Sequence, residues 1–420
     1  VKRILLLLLG CTLLAIGALL VAGSTPAAAV HRAPHAGSTD RSVYANGLPK
    51  PTPVSQFGMS YGPLTDAAST GPDGYVAQLA AEASVTGSNT GSLFRGAFHW
   101  TPTSQAGPSF TSKYDPFITQ AAADGITVLP EIHTSIVGGG GYIDPLTCTG
   151  PGCGTANFEA AVESIALRYG PNGTFTAPGF TGITRYEVWN EPNTPTGHVN
   201  TNKGQMPPSE FVPILQAESA ALVAAATQNG WLDKLQIACC AFGNSGISGY
   251  SYGLQYLKSL VAQTPAVWDY ISPTGALPGV ITTHQYFKPI NPSTCVSTAT
   301  GGQKCIQYLS TWHHYFTAQG QTAVGLGITE GGYSGADTPP SCNDAARSTS
   351  QANQAAWDTW VVNYIHSHPG FDFVFFAPYR VVDDGRSSDC WQSALAPVMG
   401  GGAFKAWGTA YKQLITADAP

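Results

Sequence analysis

Runs of β-branched and aromatic residues, each followed by a segment of helical period, recur eight times and predict an α/β chain arranged as a (β/α)8 TIM barrel. Two further observations support that class. Glu191 stands where a strand-like run from Thr184 to Asn190 meets Pro192, and Glu330 ends a second apolar run, Val324 to Thr329, bounded by Gly331 and Gly332. Proline removes an amide and stops a ladder. Both carboxylates therefore fall at C-terminal strand ends, the face on which barrels gather their chemistry. Pattern alone does not prove closure, and a doubly wound sheet stands as the alternative.

The elements follow in chain order. Lys2 and Arg3 precede the apolar stretch Ile4 to Ala22, and Thr25 to Ala29 offers small residues for cleavage before Val30. This is the pattern of a bacterial secretory signal, with a retained single-span anchor as the alternative. Residues 30–51, dominated by Pro, Ser, Ala, Gly and His, read as a disordered lead-in. One catalytic domain is then expected over 52–420.

Within it, Val54 to Tyr61 predicts strand one and Gly74 to Ala83 its helix. Ser92 to Trp100 reads as strand two, with a helix near Pro116 to Ala123. Ile126 to His133 reads as strand three, although Pro130 is tolerated best near the end of a ladder. Phe158, Val162, Ile165 and Tyr169 recur at helical spacing. After strand four, Ser209 introduces a helix with Pro207 and Pro208 outside it and Glu210 in its first turn; Leu215, Ser219, Leu222 and Ala226 form one stripe. Leu235 to Ala241 and Val280 to Phe287 supply strands five and six, with helices at Tyr252 to Val261 and Cys305 to Phe316. Strand seven ends at Glu330 and is followed by a helix from Gln351 to His366. Asp372 to Pro378 supplies strand eight, and Ala403 to Leu414 the last helix.

Composition excludes several classes of function. The 420 residues carry 19 basic and 25 acidic side chains, and loss of residues 1–29 would remove Lys2 and Arg3 and make the balance more acidic. A sparse, mildly acidic surface offers no footprint for a phosphate backbone, so no nucleic-acid partner is expected. No second transmembrane run follows the first. Cys148 with Cys153, Cys295 with Cys305, and Cys342 with Cys390 suit loop staples in an oxidising compartment, while Cys239 and Cys240 form either a vicinal bridge or two buried thiols. The cysteines are not gathered in close double pairs with histidines, so no metal is expected. No Gly-x-Ser-x-Gly elbow supports an esterase, and Gly138 to Gly141 lacks the lysine of a phosphate loop. No cofactor is expected.

The chemistry rests on the two glutamates. They lie 139 residues apart, about three βα units of some 46 residues each. Two carboxylates delivered to one mouth suit hydrolysis of an acetal: one protonates the leaving oxygen, and the other attacks the anomeric carbon or activates water. Ordinary charged residues opening loops are the alternative.

The segment Tyr186-Glu-Val-Trp-Asn-Glu-Pro-Asn193 closely resembles the fourth-strand signature of the clan of retaining (β/α)8 glycoside hydrolases that includes cellulases, β-mannanases and β-xylosidases. Its wording is most similar to the β-xylosidase-like members. The resemblance implies that Glu191 is the acid/base and that Asn190 bonds the sugar 2-hydroxyl. Ile328-Thr-Glu330 resembles the seventh-strand segment that bears the nucleophile. Thr283-His-Gln-Tyr-Phe287 resembles the sixth-strand segment, which makes Tyr286 the hydroxyl that holds the nucleophile and puts His284 in the same mouth; an aromatic strand packed into the barrel is the alternative. Arg95 resembles the basic residue beside the nucleophile, with an ion pair to Glu131 or Glu187 as the competing role. His133 either binds sugar hydroxyls or a backbone carbonyl.

Aromatic side chains at strand ends and loop tips offer flat faces to sugars, and Trp100, Trp189, Tyr333, Tyr379 and Trp391 are candidates, against a purely structural place in the core. The clan places a tryptophan after strand eight; here Phe373 to Tyr379 lacks one, leaving Tyr379 or Trp391 in its stead. A secreted monomer is expected, hydrolysing a β-linked polysaccharide by double displacement, endo-acting rather than exo-acting and β-xylosidase-like. A catalytically inactive sugar-binding barrel is the reading from a different class.

Overall fold

The computed structural model describes residues 58–61, 75–86, 93–100, 108–134, 136–137, 141–195, 205–243, 253–286, 309–332, 334–335, 348–349, 382–383, 398–399, 409 and 412–413. All fall within the unit Val43–Pro420. The expected export signal, lead-in, strand eight and the helix over 351–366 lie outside these residues, as does most of the last helix. So do Tyr333, Tyr379, Trp391 and the cysteines at 295, 305, 342 and 390.

Among the described residues, seven strands form the main sheet: β1 Gly58–Tyr61, β2 Leu93–Trp100, β3 Thr127–Thr134, β4 Arg185–Val188, β5 Gln236–Gly243, β6 Val280–Tyr286 and β7 Gly325–Gly332. They pair in parallel, and each neighbours the next in sequence. A doubly wound sheet needs a reversal of strand order. None occurs here, and right-handed crossovers in one direction put every helix on the same side. A sheet so wound buries both faces only by closing on itself, and the fold is a (β/α)8 barrel.

Helices fill the crossovers: α1 Tyr75–Thr86, α2 Pro108–Ala123, α3 Thr155–Tyr169, α4 Pro208–Gln228, α5 Gly253–Val261, α6 Val267–Ile271 and α7 Leu309–Ala318. Pro116, read above as a helix start, lies inside α2. An interior proline costs about 3 kcal/mol. Tyr114, Phe117, Ile118 and Ala121 offset it by burying one stripe, at roughly 1.5–3 kcal/mol for each large side chain. The five-residue α6 carries no sequence signal because it is too short for the helical period to repeat. Pro130 lies mid-strand in its pairing with β2, one residue before the register with β4 begins at Glu131.

Alternation along the strands separates two layers. Phe94, Phe98, Ile132, Tyr186, Val188, Ile237, Ile281, Leu326 and Ile328 join the cluster that packs under the helices. Leu93, Leu129, Ala238 and Val280 form a small second cluster, which floors the barrel interior. Above that floor the inward positions turn polar: Arg95, Glu131, His133, Glu187 and His284 are all buried.

Two irregularities decide what β5 and β7 present at their ends. In β5 the register slips by one residue between Cys239 and Phe242, where Ala241 takes a left-handed φ of 51° and donates its amide to Thr282 Oγ1 at 2.9 Å. In β7, Thr283 pairs with Ile328 but His284 pairs with Glu330, so Thr329 is the extra residue of a bulge. Strict alternation would put Glu330 on the helix side with Leu326 and Ile328. The bulge turns it inward.

Candidate active site

The chain leaves β4 through a strained turn. Trp189 and Glu191 hold left-handed φ values of 61° and 48°, which non-glycine residues adopt at a cost of order 1–3 kcal/mol. Local hydrogen bonds offset it. Trp189 N donates to Ile132 O at 2.9 Å, Thr194 N to Glu191 O at 2.9 Å, and Met206 N to Pro192 O at 2.9 Å. Asn193 locks the turn onto β5: its Nδ2 donates to Gly243 O at 2.7 Å and its Oδ1 accepts from Gly243 N at 2.8 Å. Thr194 Oγ1 stands 3.1 Å from Glu191 Oε2. Gly243 leaves room for that carboxylate; a Cβ there would meet Thr194 Cγ2 at 2.5 Å and Glu191 Oε1 at 3.0 Å.

Glu330 reaches the same place from β7. His284, fully buried on β6, has its Nδ1 2.7 Å from Glu191 Oε1 and 3.4 Å from Glu330 Oε2. Those two oxygens therefore lie within the sum of the distances, about 6 Å. Carboxyl pairs separated by ~5–5.5 Å suit a covalent double displacement, whereas ~6.5–9.5 Å leaves room for an intervening water.

Arg95 organises the floor beneath. Its Nε pairs with Glu187, its Nη1 donates to Glu330 Oε1 at 2.5 Å, and its Nη2 reaches Asn190 Oδ1 at 3.1 Å and Glu131 Oε2 at 3.2 Å. Both expected roles are present together, contact with Glu330 and an internal ion pair with Glu131 and Glu187. Burial works against the Arg95 charge, but Glu131, Glu187 and Glu330 more than offset it and hold the guanidinium above its ordinary range. Burial pushes Glu131 up to about 8 against the pull of Arg95, helped by Glu187, Glu330 and Glu191. Burial, His99 and Arg95 lower His133, against the Thr134 bond. The ring centroid of His133 lies 4.2 Å from that of His99, which burial and then Lys113 lower to about 3.

Glu191, Glu330, Asn190, His284 and Arg95 thus converge, with His133 linked through Glu131 at 3.2 Å. His133 Nδ1 donates to Thr134 O at 2.7 Å, the backbone role of the two foreseen. Tyr286 ends β6 in register with Gly332. Trp100 does not reach the mouth: it is buried with its ring against Phe158 of α3, centroids 5.5 Å apart. Trp189 is fully buried in the helix-side cluster. Sequence reasoning missed Gly243, Asn193 and Thr194 as supports of Glu191, whereas Glu187 takes the place foreseen for it as a partner of Arg95. Cys148 is bonded to Cys153, and Cys239 to Cys240.

No protein-family model matches the chain, nor does any curated protein. Solved structures do. A family 39 glycoside hydrolase from the gut symbiont Bacteroides cellulosilyticus superposes with a TM-score of 0.53 at 14% identity over 88% of this chain and 65% of its own. An exo-beta-1,4-mannosidase from an Opitutaceae bacterium gives 0.52 at 13% identity over 92% and 62%. An endo-laminarinase from Formosa gives 0.52 at 12% over 89% and 90%. The chain thus spans less than two thirds of the length of the first two. Likeness at such identities establishes the barrel. Among the described residues, no helix is long and apolar enough to cross a membrane.

Proposed function

We propose that the protein is a secreted glycoside hydrolase that cleaves β-linked glycans with retention of anomeric configuration. The observation that carries this reading is the single histidine nitrogen shared by two carboxylates from the ends of β4 and β7, which holds their oxygens within about 6 Å. In the first step Glu330 attacks the anomeric carbon as the bond to the leaving oxygen breaks, and Glu191 delivers its proton to that oxygen. A glycosyl ester on Glu330 results. In the second step Glu191, now a carboxylate, takes a proton from water as the water oxygen displaces Glu330. Arg95, contacting Glu330 and Asn190 at once, fixes the attacking oxygen relative to the amide that would hold the sugar 2-hydroxyl. Tyr286 is assigned to the nucleophile as a further donor, and Tyr379 or Trp391 to the sugar face.

In this reading residues 1–29 direct export, 30–51 lead in, and 52–420 form the catalytic domain. A polymeric β-glucan, β-xylan or β-mannan attacked internally is the substrate class, with exo-action on β-xylosides as the second choice. The three solved relatives include an exo-acting and an endo-acting enzyme by name, so a panel of these polymers alongside aryl β-glycosides chooses between the modes.

The roles are tested by two variants. With an aryl β-glycoside bearing an activated leaving group, Glu191→Gln still forms the glycosyl ester, and added azide accelerates turnover and yields a β-configured azide. Glu330→Gln gives neither. The reverse pattern, or an inverted product from the parent enzyme, would falsify the assignment. A chain that binds glycans and turns none over belongs to the inactive-barrel class.

A further inference from the structure

Three carboxylates, Glu131, Glu187 and Glu330, share one guanidinium in the barrel, and all four groups are buried. An ionised carboxylate without compensation costs several kcal/mol in such surroundings, so one guanidinium shared by three carboxylates favours a proton on one of them. The geometry identifies where. Each of the three presents one oxygen to Arg95, but Glu330 also lies beside His284. Glu131 alone meets Arg95 at the nitrogen that serves Asn190: Nη2 lies 3.1 Å from Asn190 Oδ1 and 3.2 Å from Glu131 Oε2. Its other oxygen, Oε1, is buried and, like Oε1 of Glu187, receives no hydrogen bond among the described residues; of the two, Glu131 is the one with a ring nitrogen beside it. The charged-capable group nearest to it is His133 Nε2 at 3.2 Å. The Nδ1 of that ring faces the Thr134 carbonyl, which only accepts, so Nδ1 carries the hydrogen of the neutral ring. Nε2 then has no proton to give.

We propose that Glu131 is a positioning residue that works in its protonated form, its neutrality leaving Arg95 free to orient Asn190 and Glu330 in the glycosidase site proposed above. The inference rests on that reading for its catalytic consequence alone. Loss of the proton would turn Glu131 into a stronger competitor for Nη2 and draw the guanidinium from Asn190. Contacts to a sugar 2-hydroxyl strengthen in the transition state, so the loss falls on kcat rather than on KM. The groups facing Glu131 are Arg95 from β2, His133 on its own strand, Glu187 from β4, Glu191 just beyond it, Glu330 from β7 and Glu218 from α4, with His99 of β2 behind the His133 ring. None supplies a second buried cation, since burial keeps His99 and His133 neutral.

The experiment follows glutamate carboxyl carbons and arginine guanidinium nitrogens by NMR in the labelled full chain from neutral to alkaline pH. One carboxyl signal titrates near about 8, the Arg95 nitrogen signals move with the same midpoint, and the carboxyl signal is missing in Glu131→Gln. On an aryl β-glycoside, kcat of the parent falls about tenfold per pH unit above that midpoint, and in Glu131→Gln this limb moves upward by a pH unit or more, whatever the absolute rate. Absence of a titrating Glu131 in the parent overturns the inference without any variant. An alkaline limb unmoved in Glu131→Gln overturns it too. If nothing is hydrolysed while the Arg95 signals still follow Glu131, the glycosidase reading fails and the positioning proton stands.

Discussion

Alanine at Gly243 tests how closely the end of β5 is fitted to the Glu191 carboxylate. Gly243 does not occupy the left-handed region, so the backbone accepts a side chain and any loss is steric. The added Cβ would stand 2.5 Å from Thr194 Cγ2, 3.0 Å from Glu191 Oε1 and 3.1 Å from Glu191 Cδ. Overpacking of this kind costs roughly 1–3 kcal/mol. The Glu191 side chain is the freer of the two to move, and a displacement of ~1 Å at a reacting group costs ~10²-fold in rate. Gly243→Ala should therefore lower the urea midpoint modestly and kcat on an aryl β-glycoside by one to two orders of magnitude. Thr194→Ser removes the worst contact while keeping the hydroxyl beside Glu191 Oε2. In the double variant, stability should recover by about 1 kcal/mol, within the range of coupling between touching residues, whereas kcat recovers only in part because the contacts to Glu191 remain. If Gly243→Ala matches the parent in both measurements, or Thr194→Ser adds its own loss with no coupling, the packing argument is wrong.

Arg95→Lys keeps the charge but loses the planar fork that serves Glu187, Glu330 and Asn190 together. Unfolding should show a loss on the order of 3 kcal/mol, with kcat falling much further than binding. Asn193→Asp replaces the amide that donates to Gly243 O by an oxygen that repels it; a loss of about 1–3 kcal/mol and weakened turnover are expected, and unchanged thermal melting would count against the lock. The acid side of the stability profile is set partly by His99, whose value of about 3 in the fold lies below its ordinary 6.5. Its contribution is complete above pH 6.5 and is lost as pH falls toward about 3, because the unfolded chain takes up the proton first. Over the first two pH units this amounts to about 2 kcal/mol, and His99→Phe should flatten the acid slope in urea titrations.

Much of the barrel was legible because its punctuation is local. Pro192 and the Gly331-Gly332 pair mark strand ends within a few residues of the carboxylates they follow, and the eight-fold alternation needs no tertiary information. Closure became clear from the unbroken strand order, which no window of sequence contains. What stayed hidden was held by contacts across the fold. Asn193 meets Gly243 fifty residues away, and His284 meets Glu191 at a separation of 93; neither pairing has a local signature. The inward turn of Glu330 depends on Thr329 being skipped by the ladder, whereas alternation read from the sequence puts it beside Ile328. Trp100 was misplaced for the opposite reason. Arg95 and Trp100 differ by an odd number of residues in an unbroken strand, so the parity that sends one inward sends the other to the helices.

The bulge at Thr329 lets β7 carry one residue more than its ladder needs while the carboxylate at its end stays inward. Deleting Thr329 would remove the extra residue from the ladder and leave Glu330 directly after Ile328, still opposite His284 and still inward, whereas deleting Leu326 would keep Glu330 in place only by turning Ile328 inward. Loops after the strands can lengthen or shorten with little effect on what the barrel wall shows. A library of single-residue deletions through residues 325–332 should therefore keep activity best at Thr329 and lose it where the deletion moves Ile328 out of the helix-side layer or removes Glu330 itself.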